Sequence, residues 1–183
     1  MDIKKIKVIF MHGNSGGKAD DYWFPYVKRN LEKVGIKVIA RTFPDNDLAR
    51  EKYWLPFLKD VLKADENTII LGWSSGGTAA MRFAENNKLL GSILVSASYT
   101  DLGDKKEKLS GYFNRPWRWK AIRNNQKWIA QFASSDDPYI PISQARYIHK
   151  KLQTEYYEYK DQKHFAPKYE FLEIVKVIKS KLE

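Results

Sequence analysis

The chain of 183 residues contains no cysteine. That excludes disulfides and thiolate metal sites and suits a reducing compartment. Long apolar runs are missing too. No stretch approaches the roughly 18 apolar residues that a spanning helix requires. The start, Met1-Asp2-Ile3-Lys4-Lys5-Ile6-Lys7, holds no apolar core of signal-peptide length. The expectation is a soluble cytoplasmic protein with no membrane partner. No repeat, linker or low-complexity tract divides the chain, so one domain over 1–183 is expected. Acidic residues are in the minority: 22 Asp and Glu against 32 Lys and Arg leave a net charge of +10. Such an excess steers anions or nucleic acid when gathered on one face. Here lysines are scattered through every segment, which reads as a solvated surface.

Apolar runs alternate with helical patterns along the chain. Strands are expected at Ile6–Met11, Ile36–Ala40, Thr68–Leu71, Leu89–Ser96, Trp128–Ala133 and Glu155–Lys160. Helices are expected at Tyr22–Val34 (capped by Asp20 or Asp21), Leu48–Leu62 despite Pro56, Gly77–Glu85, Ile142–Leu152 and Lys168–Leu182. Strands separated by helices mean βαβ units: an α/β fold with a mainly parallel six-stranded sheet covered on both faces. Tyr99–Arg115 reads as irregular, because Gly103 and Gly111 interrupt any periodicity. It follows a strand C-terminus, where open α/β sheets bind ligands.

The stretch with most chemical content is Gly72-Trp73-Ser74-Ser75-Gly76. It reads G-x-S-x-G between an apolar strand and a helix, the context of the nucleophile elbow of α/β-hydrolases. The plainer alternative is a βα turn of small residues. Ser74 has glycine two positions away on each side, whereas Ser75 does not. Ser75 is therefore expected to offer its backbone N–H to an oxyanion at the helix N-terminus. A second donor is expected from the loop after the first strand, His12-Gly13-Asn14-Ser15-Gly16-Gly17, with Gly13 and Asn14 as candidates. This loop is not a phosphate loop, because Gly17-Lys18 lacks the glycine at His12 and the hydroxyl at Ala19. Nor is it a dinucleotide fingerprint, because Ser15 stands where the second glycine belongs.

A serine hydroxyl needs a base and an acid that orients the base, in the chain order Ser, Asp, His. With three histidines in the chain, elimination is possible. His12 precedes the elbow, and His149 falls inside a helix as a surface residue. His164 lies between the last strand and the last helix and is the expected base. The acid belongs on the loop Ser134-Ser135-Asp136-Asp137-Pro138-Tyr139-Ile140-Pro141. Asp137 fits the D-x-x-[VI]-P spacing common in this fold, with Asp136 as rival. Asp101 is a remoter alternative, and Asp161 reads as a turn residue. His12, Trp73 and Trp117 are candidate walls of the substrate pocket. No metal or cofactor is called for.

These stretches resemble the small serine hydrolases typified by retinoblastoma-binding protein 9. The resemblance spans nearly the whole chain. It rests on Gly13-Asn14-Ser15-Gly16-Gly17, Arg50-Glu51 with Trp54-Leu55-Pro56-Phe57, and Gly72 to Gly76. Further matches are Ser110-Gly111-Tyr112-Phe113, Arg115-Pro116-Trp117, Asp136-Asp137-Pro138 and His164-Phe165. It implies a compact α/β-hydrolase without a large lid domain and a triad of Ser74, Asp137 and His164. The pocket-protein motif L-x-C-x-E does not carry over: Leu62-Lys63-Ala64-Asp65-Glu66 has alanine for cysteine, so binding of a retinoblastoma-type partner is not implied. The expected activity is hydrolysis of an ester, thioester or amide in a small-molecule or peptide substrate. One competing reading is a protein-binding module on a hydrolase scaffold with little turnover. Another is nucleic-acid binding through the basic and aromatic residues between Tyr99 and Trp128. The tryptophan block disfavours the latter, since it matches the hydrolases.

Overall fold

The structure, a computed structural model, describes residues 3–183. Met1 and Asp2, at the head of the N-terminal stretch read above, lie outside them. Its elements run β1 (Lys7–Met11), α1 (Phe24–Glu32), β2 (Lys37–Ala40), α2 (Glu51–Pro56), β3 (Thr68–Trp73), α3 (Ser75–Ala84) and β4 (Leu89–Val95). The second half continues with α4 (Lys105–Ser110), α5 (Trp119–Asn124), β5 (Gln126–Ser134), α6 (Ile142–Leu152), β6 (Glu155–Tyr159) and α7 (Leu172–Ser180). Six strands form one sheet in the order β2-β1-β3-β4-β5-β6, and every neighbouring pair is parallel.

Alternation along the strands divides the core in two. Val8 and Phe10 of β1, Ile69, Leu71 and Trp73 of β3, and Phe132 of β5 pack with Phe24, Val27 and Leu31 of α1 and Ile174 and Ile178 of α7. The opposite face takes Ile9, Met11, Ile70 and Leu94, covered by Trp54 of α2, Ala80 and Phe83 of α3, Ile122 of α5 and Ile148 of α6. The chain lays β2 on one side of β1, then returns to place β3 on the other. This reversal opens a crevice at the carboxyl ends of β1 and β3, where open α/β sheets bind ligands. The loop after β1 and the turn after β3 face it.

Several elements depart from the sequence pattern. α1 starts at Phe24, with Trp23 in the cap position and no side-chain cap; Asp21 instead accepts from the Lys18 N–H. The expected helix over 48–62 is shorter and changes pitch. Its α-helical part ends at Pro56, which has no N–H to donate, and Phe57–Val61 continues as a π-helical turn. The segment read as irregular contains α4. Asp104 caps it by accepting from Lys106 and Glu107, and Gly111 ends it in the left-handed conformation with φ 89°. None of the helices among the described residues is long and apolar enough to cross a membrane.

Candidate active site

Between Thr68 and Glu85 every residue is buried except Ser74, which is partly exposed. Ser74 sits at φ 57°, ψ −124°, a conformation non-glycine residues rarely adopt and one that concentrates at functional sites. Its amide donates to the Val95 carbonyl at 2.8 Å, and its own carbonyl accepts from Gly77 and Thr78 at 2.9 and 3.2 Å. The flanking glycines are sterically required. A Cβ on Gly72 would overlap the carbonyl oxygen of Gly76, and one on Gly76 would overlap that of Met11. Ser75 is the first residue of α3, so its N–H is among those without an intrahelical acceptor.

His164 and Asp137 meet directly. His164 Nδ1 lies 2.8 Å from Asp137 Oδ2 and 3.1 Å from Oδ1. Against an ionised carboxylate Nδ1 is the donor, which leaves Nε2 with its lone pair free. Asp137 Oδ1 also accepts from the amides of Tyr139 and Ile140 at 2.9 and 3.0 Å. Oδ2 accepts from the Ser96 hydroxyl at 2.8 Å. Burial pushes the Asp137 acid up, but the His164 hydrogen bond and charge and the two amides outweigh it and hold Asp137 below the usual carboxylate range. The rival, Asp136, has another task. Its Oδ1 accepts from Ser134 Oγ at 2.6 Å and from the Lys163 amide at 2.8 Å, shaping the loop that carries His164. Asp101 accepts from the Gly103 amide in its own turn, and exposed Asp161 bonds to Gln162. His149 is half-buried, stacked on Tyr156 and bonded to Thr154.

Trp73 ties the two halves together. Its Nε1 donates to the His164 carbonyl at 2.9 Å, so the residue before Ser74 grips the loop bearing His164. Tyr139 sets its ring edge-on to the His164 imidazole, with centroids 5.1 Å apart.

The loop after β1 lies against the nucleophile candidate. A Cβ on Gly13 would stand 3.4 Å from Ser74 Cβ and 3.8 Å from its Oγ. The Asn14 side chain donates to Glu107 Oε1 at 2.7 Å, and the Ser75 hydroxyl donates to the same oxygen at 3.2 Å.

Two of the expected pocket residues, His12 and Trp117, have partners of their own within the protein. His12 is wholly buried, with both ring nitrogens engaged inside the protein. Nε2 accepts from the Phe43 amide at 2.9 Å and Nδ1 faces the Gly13 carbonyl at 2.7 Å. The ring edge packs on Trp54, and burial lowers its basicity despite the Gly13 bond. His12 therefore braces the loop from behind and cannot wall an open pocket. Trp117 covers the Arg82 guanidinium at 3.6 Å, donates to the Tyr99 carbonyl and stacks on Trp119. Arg82 lies eight residues along α3 from Ser74, about 12 Å of helix axis. Trp117 thus packs on the far part of the elbow helix. The residue reading passed over Ser96, Tyr139 and Glu107. Ser96 directly follows β4 at the carboxyl edge of the sheet, which is a usable signal; Tyr139 and Glu107 give none. Among the described residues no three His, Asp or Glu side chains are grouped to hold a metal ion.

A parallel sheet with a positive-φ serine between β3 and α3 and a hydrogen-bonded His–Asp pair beyond β5 and β6 defines an α/β-hydrolase. The sequence model of the family described as serine hydrolase matches residues 8–179, and the chain belongs to that family. It is 43% identical to serine hydrolase RBBP9 of Rattus norvegicus over 96% of this chain and 95% of the relative. The crystal structure of the ydeN gene product of Bacillus subtilis superposes with a TM-score of 0.88 at 25% identity, covering 97% of this chain and 98% of the other. The esterase RhEst1 from Rhodococcus sp. ECU1013 shares the fold at a TM-score of 0.67 and 15% identity, over 96% and 89% of the two chains.

Proposed function

We propose that the chain hydrolyses an ester, thioester or amide bond through an acyl-enzyme on Ser74. The observation that carries this reading is the joint placement of three groups. Ser74 is the one residue of the buried β3–α3 run open to solvent. His164 is bonded to Asp137, and Trp73 links the two sites. In this reading His164 Nε2 takes the Ser74 proton as Oγ attacks the carbonyl carbon. The tetrahedral oxyanion is held by the Ser75 and Asn14 backbone N–H groups, with Gly13 giving the close approach. Collapse breaks the bond to the leaving group, which departs with the proton from His164. Water then repeats the sequence on the acyl-enzyme and restores Ser74. Asp137 keeps the Nδ1–H tautomer and balances the imidazolium.

Substrates are small molecules or peptides with an acyl group reachable from the crevice. A cytoplasmic location belongs to the same reading, supported by the cysteine-free sequence. Nucleic acid is not part of it. Several basic residues of the Tyr99–Trp128 stretch pair within the protein, among them Lys106 with Asp47 and Arg115 with Glu51.

A fluorophosphonate probe tests the proposal. The native chain and Ser75→Ala should label, while Ser74→Ala should not. Unlabelled native protein, alongside a labelled control serine hydrolase, would refute it.

A further inference from the structure

We propose that Glu107 is a positioning residue that sets the separation of the two oxyanion donors by holding Asn14 and Ser75 on one carboxylate oxygen. The inference rests on the acyl-enzyme reading above and adds a residue outside the triad and the elbow.

Oε1 of Glu107 accepts from Asn14 Nδ2 at 2.7 Å and from Ser75 Oγ at 3.2 Å. Neither side chain would touch an oxyanion, since the backbone N–H groups of the same residues do that work. A shared acceptor instead fixes the span between the loop after β1 and the first residue of α3, which have no strand or helix in common. Asn14 follows β1 and Ser75 follows β3. The outer end of the β1 loop has its own anchors: Ser15 and Gly16 donate to the carbonyls of Asp47 and Asn46, and Asn46 donates to the Gly17 carbonyl. The inner end, at Asn14, is tied to the elbow through Glu107. α4 holds the outer end as well, because Lys106 pairs with Asp47 at 2.6 Å.

The arrangement is costly in a way packing alone does not explain. Glu107 Oε2 is buried without a hydrogen-bond partner, and buried unsatisfied polar atoms call for a reason. Burial drives the Glu107 acid up, against the Ser75 and Asn14 hydrogen bonds, and nearby Asp104 and Asp101 add to the rise. An apolar residue would cover the same surface without these penalties. What it could not do is accept from both Asn14 and Ser75. A displacement of about 1 Å in such donors is enough to cost catalysis severely.

The test is stopped-flow acylation with p-nitrophenyl acetate, which separates the acylation rate constant from substrate binding. Deleting a whole oxyanion donor costs about 10²–10³-fold, and a misplaced donor costs less. Glu107→Ala should slow acylation by about 10–100-fold with binding changed by less than about twofold. Glu107→Gln keeps the accepting oxygen and should restore acylation to within about threefold of the native rate. Asn14→Ala keeps the backbone N–H but loses the tie, so its loss combined with Glu107→Ala should fall well short of additive. Native acylation in Glu107→Ala, a loss confined to binding, no recovery in folded Glu107→Gln, or full additivity would each overturn the inference. Should Glu107→Ala not fold, Glu107→Gln and Asn14→Ala alone decide: native-like acylation is expected of the first and slowed acylation of the second, and the reverse refutes. A native enzyme that neither acylates nor takes the fluorophosphonate would sink the parent reading instead.

Discussion

Ser74 holds its conformation because hydrogen atoms stand where its neighbours would carry side chains. The peptide leaves β3, reverses over Ser74 and enters α3 so tightly that backbone meets backbone at Gly72 and Gly76. Gly76 gives a sharp test because two effects oppose each other. In an exposed helix, Gly→Ala gains about 1 kcal/mol from backbone entropy. Here the new methyl would overlap the Met11 carbonyl oxygen, and Met11 ends β1, a strand paired on both sides by β2 and β3. Overpacking of this kind costs about 1–3 kcal/mol or more. The clash with backbone should outweigh the gain, so Gly76→Ala should be destabilised by about 1–2 kcal/mol in urea unfolding, with acylation also impaired because the loop bearing Gly13 must shift. Unchanged or increased stability would show that helix propensity governs the site.

At the scale of elements, α3 does more than present Ser74. Arg82, on its far half, is fully buried and paired with Glu85 at 2.6 Å. It also donates to the carbonyls of Tyr112, Arg115 and Pro116 beneath the Trp117 ring. The block Tyr112–Trp117, so distinctive in the sequence, is thus the cap of one buried guanidinium. Arg82→Met removes the partner of a buried carboxylate and should cost about 3–5 kcal/mol. Arg82→Met with Glu85→Gln should recover part of it, since the uncompensated charge is gone. Urea midpoints at constant m-value check both, and a single-variant loss below about 1 kcal/mol would show Glu85 finding enough compensation from Arg115 and the Arg118 amide. The sequence showed the βα alternation and gave α6 its bounds, Ile142–Leu152, because Pro141 and a clear apolar period mark them. It hid α4 and α5, whose six residues each are too short to display a period. Asp104 and Gly111 were the cap signals there, and Gly111 read as an interruption. For the site, Ser74, Asp137 and His164 stood out through local spacing. Glu107 did not, because its partners lie 93 and 32 residues away. His12 misled for the same reason: its burial is set by Phe43 and Trp54, which only the fold brings near.

For the whole molecule, the net charge of +10 at pH 7 makes acid the informative stress. Asp137 sits below the usual carboxylate range because its bonds to His164, Ile140 and Tyr139 outweigh burial. Asp65, against its own burial, is lowered by Thr68 and Lys7, and Glu155 by Lys181 and Tyr157. A carboxylate depressed in the folded state binds fewer protons there than in the unfolded chain. Its stabilisation is complete above the unfolded pKa of about 4 and is lost as pH falls through the lower folded value. Glu107 has the opposite sign. Its raised acid weakens the fold as pH climbs from the unfolded value towards the folded one, so it softens the profile on the other side. Unfolding free energy should accordingly change little between about pH 7 and 8. It should start to fall below about pH 6.5, where the unfolded chain protonates His12 and burial keeps it neutral in the fold. It should drop steeply below about pH 4, as each lost carboxylate also adds to the positive excess. Asp137→Asn isolates one contribution. It removes about 1.4 kcal/mol per pKa unit of depression, so the variant should be less stable than the native chain at pH 7 and approach it at pH 3. Denaturant titrations of both proteins at the two pH values, in about 0.5 M salt to screen the surface charge, measure this directly. A stability gap that persists undiminished at pH 3 would mean that Asp137 supports the fold by shape rather than by charge.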